Sequence, residues 1–181
     1  GHAMAASGQS LGFRHQAFEQ VGGYQSVLHR ASGDDVLLLQ LIRGSGDWQI
    51  RFCQNRSAIV DHPESSSWRS LLSQRARWAS NAPCQVRLDP VFFGYLSVTF
   101  TFALMLLSSP LLVLNGALSP AVLLLSIGCK MASELSLLAR GNRLFPVGGM
   151  LRHYPFWALL HPVYLVCVGG LGCLGRFSWK D

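Results

Sequence analysis

The feature that most constrains this chain is an uncharged run over residues 91–114. A helix over such a run is long enough to cross the hydrocarbon core of a membrane, which is about 30 Å thick. A second apolar run covers residues 121–138, and a third covers residues 155–175. The sequence therefore predicts a transmembrane region over residues 91–181 with two to three spans, in a multi-pass protein of the cell membrane.

The third apolar run leaves the topology open. His161 and Pro162 interrupt it, so we predict either a full span or a bent, re-entrant or interfacial segment. The preceding loop is basic and is predicted to be cytoplasmic, because Lys and Arg favour that side. Three full spans would put Arg176 and Lys180 on the opposite side, which conflicts with the same trend.

One pair of charges lies inside the second apolar run. Lys130 and Glu134 are spaced i,i+4, so on a helix they share one face and can pair. Charges within a span usually face protein or water rather than lipid. We interpret the pair either as a structural contact or as part of a proton or ion path.

The composition changes sharply along the chain. The chain is 50% hydrophobic and only 13% charged, yet nearly all its acidic residues precede Pro90. The net charge of +6 predicts contact with membrane lipids. Nucleic-acid binding is not predicted, because the basic residues form no continuous run. The five cysteines include no CxxC pair and are predicted to be free thiols, so no metal-binding residue is assigned among them.

Short strands and helices are predicted to alternate in the first part of the chain. Alternating apolar side chains and short apolar runs predict strands at residues 10–13, 48–53 and 58–61. Apolar residues at helical spacing predict helices at 14–21 and 36–43, the second ending at Gly44. The predicted fold class is therefore α/β over residues 1–64. An amphipathic interfacial helix is predicted within residues 65–90, ahead of the α-helical transmembrane segments.

Two adjacent carboxylates, Asp34 and Asp35, precede the second predicted helix. The N-terminus of a helix carries partial positive charge, which stabilises an ionised carboxylate. Such a carboxylate can accept a proton from a hydroxyl and act as a general base. The alternative is structural, because Asp is a common N-cap residue and one of the two would then only cap the helix.

A second cluster lies on a predicted helix over residues 68–80. Gln74, Arg77 and Trp78 fall at i, i+3 and i+4 and therefore share a face. The Arg guanidinium matches phosphate oxygens, the Trp ring offers a surface on which a sugar can stack, and the Gln amide can bond a hydroxyl. This combination suits a phosphorylated sugar. The alternative is a basic interfacial helix whose Trp lies at the membrane–water boundary.

Together these motifs resemble glycosyltransferase family 2, and most closely its membrane-bound, cellulose-synthase-like members. The resemblance runs through SGQSLGFRHQAFEQVGGY, GDDVLLLQLIRGSG and QRARW to the apolar runs, and it covers most of the chain as the C-terminal half of such an enzyme. Gln74, Arg77 and Trp78 match the QxxRW signature. Asp35 matches the last acid of the family's Thr-Glu-Asp motif, although Gly-Asp-Asp stands here instead.

The resemblance implies the C-terminal part of a GT-A-like nucleotide-sugar transferase domain of the hexosyltransferase type. Asp35, or its neighbour Asp34, would take the proton of an acceptor hydroxyl, which then attacks the anomeric carbon of a nucleotide-sugar donor and inverts its configuration. Arg77 would hold the diphosphate, Trp78 would stack on the acceptor sugar, and Gln74 would orient it. The acceptor would be a glycan or a lipid, and the catalytic part would be cytoplasmic.

The resemblance also implies a divalent metal, Mg or Mn, in the full-length enzyme. The family's Asp-x-Asp ligands lie upstream of its acidic motif and no Asp-x-Asp occurs here, so the ligands are expected mostly outside this chain, which by itself is expected to be inactive. His62 is either a further metal ligand or an ordinary loop residue. Gly8, Gln9 and Ser10 either line the acceptor site or form a plain turn.

Two other classes of protein fit the sequence. One is a non-catalytic membrane scaffold or transporter subunit with a small cytosolic cap, for which Asp35 and the QxxRW residues would be dispensable. The other is a peripheral module that binds lipid or nucleic acid through its basic helix. Its binding would be sensitive to salt and would depend on Arg69, Arg75 and Arg77 together.

Overall fold

The computed structural model describes residues 2–30, 32–61, 65, 67–145 and 149–178. Its α-helices are α1 (His15–Gln20), α2 (Asp34–Ser45), α3 (Trp68–Ala79), α4 (Gln85–Leu88), α5 (Pro90–Leu114), α6 (Pro120–Leu144) and α7 (Met150–Cys173). Short 3-10 helices occur at Gly8–Ser10, Arg56–Ala58 and Ala82–Cys84. The chain divides into unit 1, which comprises Gly1–Ser97 and Val168–Asp181, and unit 2, which comprises Val98–Cys167.

The predicted α/β fold, as a fragment of a GT-A-like domain, is wrong. The described residues form helices and irregular segments, with no strand among them. A strand needs a second backbone to pair with, and the predicted segments at 10–13, 48–53 and 58–61 do not pair with one another. Instead, the Ser10 hydroxyl donates a hydrogen bond to the Ala58 carbonyl at 3.1 Å. Trp48 and Phe52 were expected to share a buried strand face, but Trp48 is partly buried and Phe52 is exposed.

The core of unit 1 lies between α1 and α2. Ala17 of α1 packs against Leu38 and Ile42 of α2, and these three side chains are buried. The partly buried side chains around them are those of Phe18, Val21, Tyr24 and Trp48. Helix α2 is longer than predicted, because Gly44 remains helical and Gly46 ends the helix with a φ of 77°.

The start of α5 is tied to α2 through a buried carboxylate. Asp89 is only 1% exposed and accepts hydrogen bonds from Arg43 Nη1 at 2.6 Å and from the Phe92 N–H at 3.1 Å. The ring of His2 lies 3.0 Å from the same carboxylate. Burial alone would raise the pKa of Asp89, but these hydrogen bonds outweigh it and hold the pKa at about 2. Asp89 is therefore ionised and joins two helices of unit 1.

The last turn of α7 belongs to unit 1 and lies against α3. A Cβ on Gly172 would come within 2.7 Å of the Ala76 carbonyl oxygen and 2.8 Å of the Ala79 Cβ, so only glycine allows this approach. Beyond the helix, the Ser73 hydroxyl donates to the Ser178 carbonyl and accepts from its N–H, both at 2.9 Å. Helix α3 therefore contacts both the end of α7 and the residues that follow it.

Three helices are long and apolar enough to cross a membrane, namely Pro90–Leu114, Pro120–Leu144 and Leu151–Cys173. This indicates a membrane protein. Helix α7 continues through both Pro155 and Pro162, so the predicted interruption at His161 and Pro162 does not break it.

A polar cluster joins α6 to α7 within unit 2. The predicted pair forms, with Lys130 Nζ 2.8 Å from Glu134 Oε2. Glu134 also accepts a hydrogen bond from the Tyr154 hydroxyl at 3.0 Å, and its other oxygen lies 2.9 Å from His161 Nδ1. Lys130 donates in addition to the Ala158 carbonyl at 3.4 Å. Both oxygens of Glu134 are occupied, which favours the structural interpretation of the pair.

Candidate functional site

The acidic turn, which we define as Ser32 to Asp35, leads into the first turn of α2. Gly33 is the N-cap and has a φ of 89°, so neither Asp is the N-cap residue. Asp34 is exposed and Asp35 is half-buried. Because glycine adopts this left-handed conformation without strain, the turn can place both carboxylates at the helix N-terminus.

Two backbone N–H groups fix the Asp35 carboxylate. Its Oδ2 accepts from the Gly8 N–H at 2.8 Å, and its Oδ1 accepts from the Val36 N–H at 2.7 Å. The bond to Val36 satisfies an N–H of the first helical turn, so Asp35 contributes to the helix end as the structural alternative proposed. A carboxylate has about four acceptor positions, so two remain for a hydroxyl donor.

The predicted acceptor-site turn lies beside this carboxylate. Gly8, Gln9 and Ser10 form an exposed 3-10 turn, and a Cβ on Gly8 would lie 3.7 Å from Asp35 Oδ2. The Ser7 hydroxyl accepts from the Gln9 N–H at 3.4 Å and caps the turn. The structure thus brings Gly8 to Asp35, whereas the Ser10 hydroxyl is engaged with the Ala58 carbonyl.

Helix α3 brings Arg77 to the acidic turn. Arg77 is only 8% exposed, and its carbonyl accepts from the Ser32 hydroxyl at 3.2 Å. Burial lowers the pKa of Arg77, while the negative charges of Asp34 and Asp35 act in the opposite direction and favour the charged guanidinium. The bond from Ser32 to the Arg77 carbonyl therefore brings the two motifs singled out in the sequence together within unit 1.

The other QxxRW residues differ in exposure. Trp78 is 46% exposed, and Gln74 is half-buried one helical turn earlier. The Arg75 guanidinium lies over the Trp78 ring, 4.5 Å from its centroid. Sequence analysis assigned Arg75 no role of its own at this site, although its i,i+3 spacing to Trp78 was a usable signal. The contact covers one face of the ring and leaves a partly exposed aromatic surface at this end of α3.

Asn81 is a second residue that sequence analysis missed. It follows α3, is only 7% exposed, and donates to the Ser32 carbonyl and hydroxyl oxygens. Its side-chain oxygen, Oδ1, accepts from Arg30 Nε. The sequence carries no local signal for these contacts, because each joins residues about 50 positions apart.

The described residues do not themselves form a metal site, since none of their His, Cys, Asp or Glu side chains cluster in groups of three or more. Asp34 and Asp35 are the carboxylates near Arg77. His62, the candidate metal ligand from the sequence, lies outside the described residues. Any divalent metal at this site would therefore need further ligands.

The arrangement combines three chemical capacities in unit 1. A carboxylate with free acceptor positions can take a proton, a buried guanidinium can stabilise negative charge, and a partly exposed indole can support a sugar ring. Each of these can serve the transfer of a sugar from an activated phosphate ester.

Comparison with known proteins places the chain in one family. Residues 2–163 match the model of glycosyl transferase family 21, a match that includes the acidic turn, α3 and most of the apolar helices. The glycosyltransferase part of the predicted resemblance is confirmed, with family 21 as the matching family. Searches of curated proteins and of solved structures found no match.

Proposed function

The chain belongs to glycosyl transferase family 21, and from this we propose that it acts, as part of a longer enzyme, in the inverting transfer of a hexose from a nucleotide sugar. The acceptor is the hydroxyl of a glycan or lipid at the cytoplasmic face of the membrane. Family membership supports the transferase activity, and the family 2-like acidic and QxxRW motifs support the inverting mechanism.

Asp35 is the proposed general base. Its two hydrogen bonds to backbone N–H groups fix the direction of the carboxylate. Its remaining acceptor positions take the proton of the acceptor hydroxyl as the oxygen attacks the anomeric carbon. The bond from that carbon to the nucleoside diphosphate breaks on the opposite face. Asp34, which is exposed beside it, is the other candidate for this role.

Arg77 is the proposed partner of the leaving diphosphate. It is largely buried, so its charge is screened by water less than that of an exposed Arg and acts more strongly on the negative charge that develops during transfer. Trp78 offers its partly exposed ring to the acceptor sugar, and Gln74 bonds a hydroxyl of that sugar. The Arg75 guanidinium holds the Trp78 ring from one side.

The proposed enzyme uses a Mg or Mn ion, held mostly by residues outside this chain. Such an ion supplies positive charge to the diphosphate. A cytoplasmic position for unit 1 is supported by basic residues ahead of the first apolar helix. These are Arg69, Arg75, Arg77 and Arg87.

One observation supports this proposal above the others: the Ser32 hydroxyl donates to the Arg77 carbonyl at 3.2 Å, which holds the acidic turn against the helix that carries Arg77. The test is Asp35→Asn in the full-length enzyme, assayed in membranes by release of nucleoside diphosphate from a panel of UDP- and GDP-hexoses. Loss of a general base should reduce the rate by about 10²- to 10⁴-fold, with unchanged amounts of protein in the membrane.

The matched control is Asp47→Asn, which removes an exposed carboxylate just beyond the opposite end of α2 and should leave the rate unchanged. Wild-type rates in Asp35→Asn and Asp34→Asn would remove both carboxylates from the mechanism. If single alanine variants at Gln74, Arg77 and Trp78 were also fully active, the chain would instead be the scaffold or transporter subunit.

A further inference from the structure

We propose that Asn81 is a positioning residue, which holds the acidic turn against the end of α3 and thereby sets Asp35 relative to Arg77. This inference rests on the proposed function for its catalytic consequence, while the contacts themselves are independent of it. Asn81 lies directly after α3 and is only 7% exposed, so its side chain is committed to the protein interior.

Both the nitrogen and the oxygen of the Asn81 side-chain amide form hydrogen bonds. Nδ2 donates to the Ser32 carbonyl oxygen at 2.8 Å and lies 3.2 Å from the Ser32 hydroxyl oxygen. Oδ1 accepts from Arg30 Nε at 3.0 Å. One side chain therefore binds both Arg30 and Ser32, which lead into Gly33. A buried amide with satisfied donors and acceptors is costly to disturb, because each lost partner leaves a desolvated polar atom.

Gly33 shows how closely the turn lies on this amide. A Cβ at Gly33 would come within 3 Å of Asn81 Nδ2, and its φ of 89° independently favours glycine. The Gly33 carbonyl accepts from the Leu37 N–H at 2.7 Å, which is the first backbone bond of α2. Contact is thus continuous from Asn81 through Gly33 to the helical turn that carries Asp35.

The same group of residues is anchored to α3. The Asn81 N–H donates to the Trp78 carbonyl at 3.2 Å, and the Ser32 hydroxyl donates to the Arg77 carbonyl at 3.2 Å. Arg30 Nη2 donates to the Ser80 carbonyl. Every contact therefore ends on the last turn of α3 or on the residue after it, next to the two QxxRW residues at that end.

Positioning of this kind acts on the chemical step. Displacement of a reacting group by about 1 Å can cost on the order of 10²-fold in rate, whereas the donor's own contacts need not change. Release of the acidic turn should therefore lower kcat and leave the KM for the donor nearly unchanged.

The test is Asn81→Asp in the full-length enzyme, in membranes or detergent micelles. Asp keeps the size and the oxygen that accepts from Arg30, but it removes the donor to Ser32 and places a negative charge next to the Ser32 carbonyl oxygen. We expect kcat for UDP- or GDP-hexose turnover to fall about 10- to 100-fold, the KM to stay within about twofold, and hydrogen exchange at the Val36 and Leu37 amides to accelerate.

The matched control is Asn55→Asp. Asn55 is exposed and its Oδ1 accepts from the Ser57 N–H, a bond that a carboxylate preserves, so kcat and exchange should match wild type. A double-mutant cycle of Asn81→Ala with Arg30→Ala gives a second measurement that does not depend on the Asp variant accumulating, because either change removes the bond between these two side chains. The loss in the double variant should be smaller than the sum of the two single losses.

Three results would overturn the proposal. One is an Asn81→Asp protein with unchanged kcat and unchanged hydrogen exchange. The others are hydrogen exchange that accelerates equally in α1 and in the acidic turn, and a double-mutant cycle whose effects are strictly additive. Failure of the proposed function looks different. In that case Asp35→Asn retains activity, while faster exchange confined to Val36 and Leu37 would still assign the contact to Asn81.

Discussion

Units 1 and 2 satisfy their polar side chains in different ways. In unit 1, buried polar groups join segments far apart in the sequence, as Arg43 joins Asp89 and Arg30 joins Asn81. In unit 2, the charged residues Lys130 and Glu134 lie on one helix and meet Tyr154 and His161 of the next. Unit 1 therefore has the long-range network expected of a site, whereas the polar cluster described in unit 2 joins two consecutive helices within a largely apolar surface.

The exposed surfaces differ in the same sense. Many large apolar side chains of unit 2 are exposed, which suits a lipid environment and would be unfavourable in water. Examples are Met105, Leu111, Leu124, Leu137 and Leu159. The contrast indicates that chemical specificity is concentrated in unit 1. In unit 2, a change to a single charged residue should act mainly on stability.

The largest effect on stability is expected in unit 2, from Glu134→Ala. This change leaves Lys130 with no carboxylate partner in an apolar environment, at a cost on the order of 3 kcal/mol. Thermal unfolding in detergent micelles should show a clear loss of stability. Lys130→Leu combined with Glu134→Leu should recover most of it. A Glu134→Ala protein as stable as wild type would show that unit 2 does not depend on this contact.

The next largest effect is expected on the rate of sugar transfer, and it distinguishes the roles of two Arg residues in unit 1. Arg77→Ala should lower sugar transfer in the full-length enzyme by about 10²-fold, because the leaving diphosphate loses a buried cation. Arg75→Ala should cost far less, since Arg75 only supports the Trp78 ring. The two turnover rates can be compared in the same membranes. Equal losses would assign the effect to the general basicity of α3 rather than to Arg77.

The smallest effect concerns acid stability. Asp89 has a pKa of about 2 against an ordinary 3.8, so folding favours its ionised form. This stabilisation, on the order of 2 kcal/mol, is fully present above pH 3.8 and is lost as the pH falls towards 2. Unfolding measured at pH 5, 4 and 3 should show wild type losing more stability than Asp89→Asn. Parallel curves would show that Arg43 and Asp89 do not contribute in this way.

Local pattern was sufficient for some of this structure. The apolar helices could be predicted because length and lack of charge alone define them, and the Lys130–Glu134 pair followed from i,i+4 spacing. The helix that carries Gln74, Arg77 and Trp78 was predicted as residues 68–80 and is observed as Trp68–Ala79. In each case the helix or the contact is determined by residues that are neighbours in the sequence.

Local pattern was insufficient where partners are distant. The predicted strands failed because alternation of apolar and polar residues does not show whether another backbone is available to pair. The roles of Asn81 and Arg30 were missed for a related reason, since their partners lie about 50 residues away. The approach of Arg77 to Asp34 and Asp35 was inferred only through a family resemblance, because no spacing rule links α2 to α3.

The contact between Ser73 and Ser178 has a consequence for how the chain is threaded through the bilayer. The apolar stretch leaves unit 1 with α5, and the end of α7 returns to α3 of the same unit. The start of α5, α3 and the residues after α7 all belong to unit 1, so Arg176 lies in the same unit as the acidic turn. We therefore expect a membrane-impermeant reagent that reaches the acidic turn from one side of an intact membrane to reach Arg176 from that side as well.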